Sequence, residues 1–169
     1  VERSRGLGDV YKRQAQAGVL NRADKLGIPT EFIPAQDFTE GRALEVLHRY
    51  QTDFIALAGF LLRVPDDILH DYPNKIVNIH PALLPKFGGK GMYGSRVHQA
   101  VIASHEKESG ITIHYINERY DEGNTIFQAT CPVLPTDTPD TLAIRVHQLE
   151  YEYFPRVIEA TILGKNLSI

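Results

Sequence analysis

Phe54-Ile55-Ala56-Leu57-Ala58 and Lys75-Ile76-Val77-Asn78-Ile79 decide the fold. The first run is continuously apolar, which fits a strand covered on both faces, as in a parallel sheet. The second reads as the next strand. Between them Pro65 opens a short helix near Asp66–Asp71.

Helix-like and strand-like patches alternate on either side. Upstream, Val19, Leu20, Ala23 and Leu26 share one helical face, and Gly27 sits where a left-handed residue would end the helix. Thr30–Pro34 reads as a short strand. Thr39 is placed to N-cap a helix carrying Leu44, Leu47 and Tyr50. Downstream, the glycine- and proline-rich stretch Pro81–Gly94 must be a loop, and one of that length is more often functional than idle. Ser95–Ser104 reads as a helix. Ile111, Ile113 and Tyr115 alternate with Thr112, His114 and Ile116 in a strand. Asp121-Glu122-Gly123 is turn chemistry, and Thr125–Cys131 is another strand. Thr138-Pro139 is an N-cap followed by proline at the first helical position. The last helix turns Leu142, Val146, Leu149 and Tyr153 inward, and Pro155 should kink or break it. The alternation predicts an α/β fold with an open, mainly parallel twisted sheet and right-handed crossovers. The strands at 111–116 and 125–131 are too close for a helical crossover and should form an antiparallel pair at one side.

Composition narrows the class. The 169 residues are 43% hydrophobic and 23% charged, which suits one soluble domain. No apolar run approaches the roughly 18 residues a membrane span needs. The formal net charge of −3 lacks the basic excess of a duplex-binding surface. The single cysteine, Cys131, excludes an internal disulfide framework, and a reducing cytoplasm is the default compartment. The histidines include no helical i, i+4 pair, so no metal is expected. Val1–Gln14 mixes charges with glycines and has neither apolar periodicity nor a signal-peptide core.

The residues able to do chemistry cluster after the second strand. Asn78 and His80 are two apart at its end, so both project to one side. Ligands of open α/β sheets sit outside the carboxyl ends of strands. A carboxamide can donate to an oxyanion, and an imidazole can move a proton near neutral pH. A carboxylate near His80, such as Asp121, would raise the histidine pKa and hold it protonated, or would order a proton-carrying water. Taken alone, His114 reads equally as a satisfied core histidine and Asp121 as a turn former. Lys86, Lys90 and Arg96 around the glycine loop are either solvated or anion-contacting.

Three strings carry more. Leu57–Phe60 (LAGF), Ile76–Gly89 (IVNIHPALLPKFGG) and Ser109–Gln128 (SGITIHYINERYDEGNTIFQ) closely resemble the folate-dependent phosphoribosylglycinamide formyltransferase family of purine synthesis. The resemblance runs from Ala17 to the C-terminus. It implies that the amine of glycinamide ribonucleotide attacks the formyl carbon of 10-formyltetrahydrofolate, the co-substrate, with no metal. It also implies catalytic roles for Asn78, His80, His114 and Asp121. Folate contacts are implied at Leu61, Leu62, Arg63 and Val64, at Asn117, Glu118, Arg119, Tyr120 and Asp121, at Asn78, and at Arg42. Many members carry arginine as the second residue of the first segment, where this chain has Leu62 with Arg63 next. His147, Gln148, Leu149 and Glu150 match the segment that meets the nucleotide substrate, with Glu150 toward its amine. The partners implied are these small molecules, with no nucleic acid or membrane, and a monomer or weak homodimer.

Family members also open with a strand, a Gly-x-Gly-[Ser/Thr]-Asn phosphate loop and a helix. Gly6-Leu7-Gly8-Asp9 has no such flanks, so residues 1–14 are expected to be a non-native leader and 15–169 a formyltransferase domain without that unit. Loss of a central strand would leave two unpaired sheet edges and lower both solubility and turnover. The alternatives are a formyltetrahydrofolate deformylase, a methionyl-tRNA formyltransferase and a non-catalytic folate-binding fragment. Pro81 and Glu150 favour transfer over deformylation, and the lack of a basic excess argues against a tRNA substrate.

Overall fold

The computed structural model describes residues 18–166, so the expected leader lies outside the described residues. These residues form two compact units, one of 18–55 and 60–72, the other of 56–59 and 73–166.

The first unit is helical. It contains α1 (Gly18–Lys25), α2 (Ala35–Thr39), α3 (Arg42–Arg49) and α4 (Asp66–Asp71). Helix α1 ends as predicted: Gly27 takes φ +64°, and Ile28 N–H returns to the Ala23 carbonyl at 2.9 Å. Its apolar face is narrower than the periodicity predicts, because Val19 and Leu26 stay exposed while Leu20 and Ala23 are half-buried. Thr30–Pro34 is not a strand. Pro29 and Pro34 offer no N–H to a ladder. The segment is held instead by burial of Ile33 and by the Glu31 carboxylate, which accepts from Arg49 at 2.8 Å. Thr39 closes α2, its hydroxyl donating to the Gln36 carbonyl, and the residue before α3 is Gly41 at φ +92°. The predicted Thr39 cap fails because the chain turns into α3 two residues later, at Gly41, a conformation that favours glycine. Helix α3 buries Ala43, Val46 and Leu47 rather than Leu44, and Tyr50 is its C-cap.

The sheet has four strands in the order β1-β2-β3-β4: β1 (Ile55–Leu57), β2 (Ile76–His80), β3 (Glu108–Tyr115) and β4 (Thr125–Pro132). The α/β class and the antiparallel β3–β4 pair are as expected, and the antiparallel part reaches one strand further, because β2 also runs antiparallel to β3. Strand β1 is not covered on both faces, since Ala56 and Ala58 are exposed. It is an edge strand among the described elements, and the two-sided cover that an apolar run implies falls to β2 and β3 instead.

The second unit's core lies between the sheet and two helices, α5 (Ser95–Ala103) and α6 (Pro139–Leu163). It gathers Ile79, Val101, Ile111, Ile113, Cys131, Leu142, Val146 and Val157, with Leu149 and Tyr153 packed against it. Each fully buried valine, leucine or isoleucine stabilises the fold by about 2 kcal/mol. Helix α6 begins in the predicted way. The Thr138 hydroxyl accepts from Thr141 N–H at 3.2 Å, and the Thr141 hydroxyl accepts from Thr138 N–H at 2.9 Å, a reciprocal capping box. Pro155 does not break the helix, which runs on to Leu163. The bond Pro155 cannot donate would reach the Tyr151 carbonyl. Both residues are exposed, so the lost bond lies on the solvent side of the helix, where its cost is smallest. No described helix is long and apolar enough to cross a membrane.

Candidate active site

The site is built where β2 ends and β3 passes beside it. The register pairs Asn78 with His114 and His80 with Thr112. Directly opposed residues of an antiparallel pair share a face, so two residues from each strand meet. Asn78 Nδ2 lies 3.3 Å from His114 Nε2. A register shift against β4 falls between Ile113 and His114, and such irregularities re-aim side chains beside functional sites.

Asp121 completes the group. Tyr115 N–H donates to the Asn124 carbonyl at 2.9 Å, closing the loop that carries Asp121 back onto the strand end. Gly123 lies so close to the Tyr115 carbonyl that no Cβ fits between them. Asp121 itself takes φ +57°. Its Oδ2 stands 3.6 Å from His80 Nδ1, and its Oδ1 3.6 Å from His114 Nε2. Oδ2 also accepts from Gly89 N–H at 2.9 Å. The other nitrogen of each ring donates to a carbonyl, His80 Nε2 to Phe87 at 2.8 Å and His114 Nδ1 to Tyr115 at 2.9 Å. Both rings are therefore fixed in orientation. His80 is 4% exposed and His114 is fully buried, while Asn78 and Asp121 are half-buried and open the group to one side.

One expectation is corrected by this burial. The Asp121 charge and the Phe87 carbonyl do raise the proton affinity of His80, but desolvation outweighs them, and the His80 pKa lies below 6.5. The ring is not held protonated at neutral pH. Asp121 is pushed up by burial, but the His114 hydrogen bond, the His80 charge and the Gly89 amide together bring it below the ordinary carboxylate value. The resting arrangement is an ionised carboxylate facing a mainly neutral imidazole. That pair can take up a proton as one forms nearby and release it again.

The remaining predicted site residues fall elsewhere. In α6, Glu150 is half-buried, its charge raises the proton affinity of His80 slightly, and it pairs with His147 at 2.7 Å. Gln148 is exposed and Leu149 faces the core. Asn117, Glu118, Arg119 and Tyr120 are exposed on the Asp121 loop, where the Asn117 side chain accepts from Arg119 N–H at 2.9 Å. Arg42 and the Leu61–Val64 segment belong to the first unit. There Arg42 opens α3, Arg63 pairs with Asp66, and Val64 is buried. Sequence reasoning missed His98 of α5, which is buried with no partner at Nδ1; burial, then His147 and His80, lower its pKa. It also missed Thr112, although the two-residue period from His114 puts both on one face. No group of three or more potential ligands among the described residues could hold a metal ion.

Comparison with known proteins bears on this geometry. The formyl transferase family profile matches residues 7–158. The chain belongs to the formyl transferase family. It is 43% identical to the chloroplastic phosphoribosylglycinamide formyltransferase of Arabidopsis thaliana over 127 residues, covering 75% of this chain and 44% of that protein. It is 35% identical to the phosphoribosylglycinamide formyltransferase of Bacillus subtilis, covering 89% of this chain and 77% of that protein. The crystal structure of phosphoribosylglycinamide formyltransferase from Anaplasma phagocytophilum superposes with a TM-score of 0.80 at 32% identity, over 89% of this chain and 71% of that one. The chain spans about half the length of the plant relatives it matches.

Proposed function

We propose that this formyl transferase moves a formyl group from 10-formyltetrahydrofolate to the amine of glycinamide ribonucleotide, a step of de novo purine synthesis in the cytoplasm. The observation that carries the reading is the convergence of His80 and His114 on the Asp121 carboxylate, with Asn78 joined to the group through His114. As the amine attacks the formyl carbon, the carbonyl oxygen gains negative charge, and the Asn78 amide N–H stabilises it. His80 takes the proton that the attacking amine loses, with Asp121 stabilising the imidazolium, and returns it to the departing folate nitrogen. The products are a formamide and tetrahydrofolate, and the proton count is unchanged. His114 orients Asn78. Glu150 draws the substrate amine toward His80. The exposed 117–120 segment beside Asp121 offers the folate a polar edge. The further folate contacts at Arg42 and Leu61–Val64 rest on the family resemblance.

The test is formyl release from 10-formyltetrahydrofolate with and without glycinamide ribonucleotide. Release that requires the ribonucleotide and yields its formyl derivative supports transfer. Release to water at the same rate without it would replace the proposal with a deformylase. Folate binding without release in either case would make the chain a binding module.

A further inference from the structure

The Thr112 hydroxyl uses its whole hydrogen-bonding capacity on the loop after β2 and on Gln128 of β4. It donates to the Ala82 carbonyl at 2.7 Å and accepts from Leu84 N–H at 3.0 Å. It also accepts from Gln128 Nε2 at 2.8 Å, and that same amide donates to the Leu84 carbonyl at 3.1 Å. One donor and two acceptors is all a hydroxyl has. Thr112 and Gln128 are register partners across β3 and β4, so the pair forms a rigid bracket on the sheet. Ala82 and Thr112 are fully buried, which makes each lost bond expensive.

The bracket bears on His80 through the chain it grips. His80 opposes Thr112 across β2 and β3, and the loop leaves from Pro81. Ala82 and Leu84 are fixed by the bracket. Three residues past Leu84, the Phe87 carbonyl accepts from His80 Nε2. Two residues further, Gly89 N–H meets Asp121. Gly88, between them, packs against Leu84 and Asp121, where an added Cβ would collide with the Leu84 side chain and lie 3.3 Å from the Asp121 Cβ. The loop is thus anchored on one side by Thr112 and Gln128 and on the other by the carboxylate that serves both histidines.

We propose that Thr112 and Gln128 are positioning residues that hold the Phe87 carbonyl against Nε2 of His80 and so decide which ring nitrogen carries the resident proton. The Nδ1 left bare is then the nitrogen that faces Asp121 and exchanges a proton during the reaction. The groups that act on His80 besides the Phe87 carbonyl are Asp121, His114 and Glu150, with His98 close enough for mutual effect. No side-chain hydrogen bond joins any of them to Thr112 or Gln128. The inference rests on the proposed role of His80 in transfer, but the tautomer itself is a property of the protein without substrate.

The experiment is nitrogen-15 NMR of the His80 ring in the full chain, beside steady-state turnover. It compares the unsubstituted chain with Thr112→Ser, Thr112→Val and Gln128→Leu. The unsubstituted chain and Thr112→Ser are expected to show one neutral tautomer with the proton on Nε2. Thr112→Val and Gln128→Leu are expected to show a mixture, with turnover down about tenfold or more and KM within about threefold. Gln128 is exposed, so its substitution decides the matter if Thr112→Val does not fold. A lowered melting temperature with the Nε2 tautomer intact would reduce the bracket to a structural feature and overturn the proposal. A mixed tautomer in a chain without transferase activity would keep the bracket and remove the function. A pure tautomer in every variant of an active chain would do the reverse.

Discussion

His80 and Asp121 face each other at 3.6 Å, Nδ1 to Oδ2, while the far side of the ring donates to the Phe87 carbonyl at 2.8 Å. The imidazole is held between two acceptors inside the protein, yet burial keeps its pKa below 6.5. Its protonated form is therefore welcomed by geometry and penalised by desolvation. A group balanced in that way gains a proton when charge develops beside it and gives the proton up afterwards.

Replacing Asp121 by asparagine removes the charge but keeps the shape. Gly89 N–H can still find the amide oxygen. The imidazolium of His80 loses its nearest counter-charge, and the Phe87 carbonyl and the Glu150 charge are left to oppose the desolvation penalty. Turnover is expected to fall by about two orders of magnitude or more, as for the loss of an acid–base partner. The circular dichroism spectrum should be unchanged. A turnover loss below about threefold would remove Asp121 from the mechanism.

The same balance sets the response of stability to acid. His80 and His98 both have folded pKa values below 6.5. In the window below 6.5 the unfolded chain binds more protons than the folded one, so stability falls as the pH drops through it. Asp121 and Asp137 lie below 3.8 when folded, so the stability they contribute is complete above that value and is lost as the pH falls toward their folded values. All four effects have the same sign. The melting temperature is expected to decline from about pH 7.5 to about pH 5.5 through the histidines, then more steeply through the carboxylates. His98→Asn should flatten the first part and leave the second. Thermal melts from about pH 7.5 to below about pH 4 check both, and an unchanged first part would clear His98 of the effect.

How much of this was legible in the chain varies by element. Asn78, His80 and the Thr138-Pro139 cap could be read because a strand's two-residue period and a helix cap are local patterns. Whether β1 is covered could not be read, since Ile55–Leu57 has the same apolar string at an edge as in the middle of a sheet. Thr39 failed as a cap because the chain reverses at Gly41, and Ser or Thr near a helix start says nothing about which residue makes the turn. The convergence of Asp121 on two histidines depends on a loop closed by Tyr115 and Asn124 and on the register of β2 with β3. The depressed proton affinity of His80 depends on burial that no residue pattern encodes.

Gly123 is where that convergence is most exposed to substitution. A Cβ there would collide with the Tyr115 carbonyl, which already accepts from His114 Nδ1. The obstacle is backbone, so it cannot swing aside. Gly123→Ala is expected to destabilise by about 2 kcal/mol or more, in the range of overpacked sites. It should also lower turnover further than the loss of folded protein explains. Gly27→Ala is the control. It carries φ +64° but meets open space, so about 1 kcal/mol and no effect on turnover are expected. Denaturant midpoints for the two variants give the comparison, and equal losses would refute the role assigned to Gly123.

The joint between β4 and α6 gives a prediction that does not involve the site. Arg145 binds Asp137 through two nitrogens, at 2.8 and 3.1 Å, and also donates to the Pro132 carbonyl at 2.8 Å. Asp137 accepts in addition from Leu134 N–H and from the Thr141 hydroxyl. This set of donors, with Arg145 foremost, holds the Asp137 carboxyl well below the usual range. The carboxylate is 4% exposed, whereas the arginine is 25% exposed. The two ends of the pair should therefore differ when cut. Arg145→Met strands a buried charge with only two neutral donors. Asp137→Asn leaves an arginine that can still reach Pro132 and water. The loss is expected to be about 2 kcal/mol for Asp137→Asn, the value of a hydrogen bond to a charged group, and larger for Arg145→Met. The double variant should recover part of the Arg145→Met loss, a coupling of about 1 kcal/mol or more in a mutant cycle. Strict additivity of the two losses would mean that the pair does not join β4 to α6 as a unit.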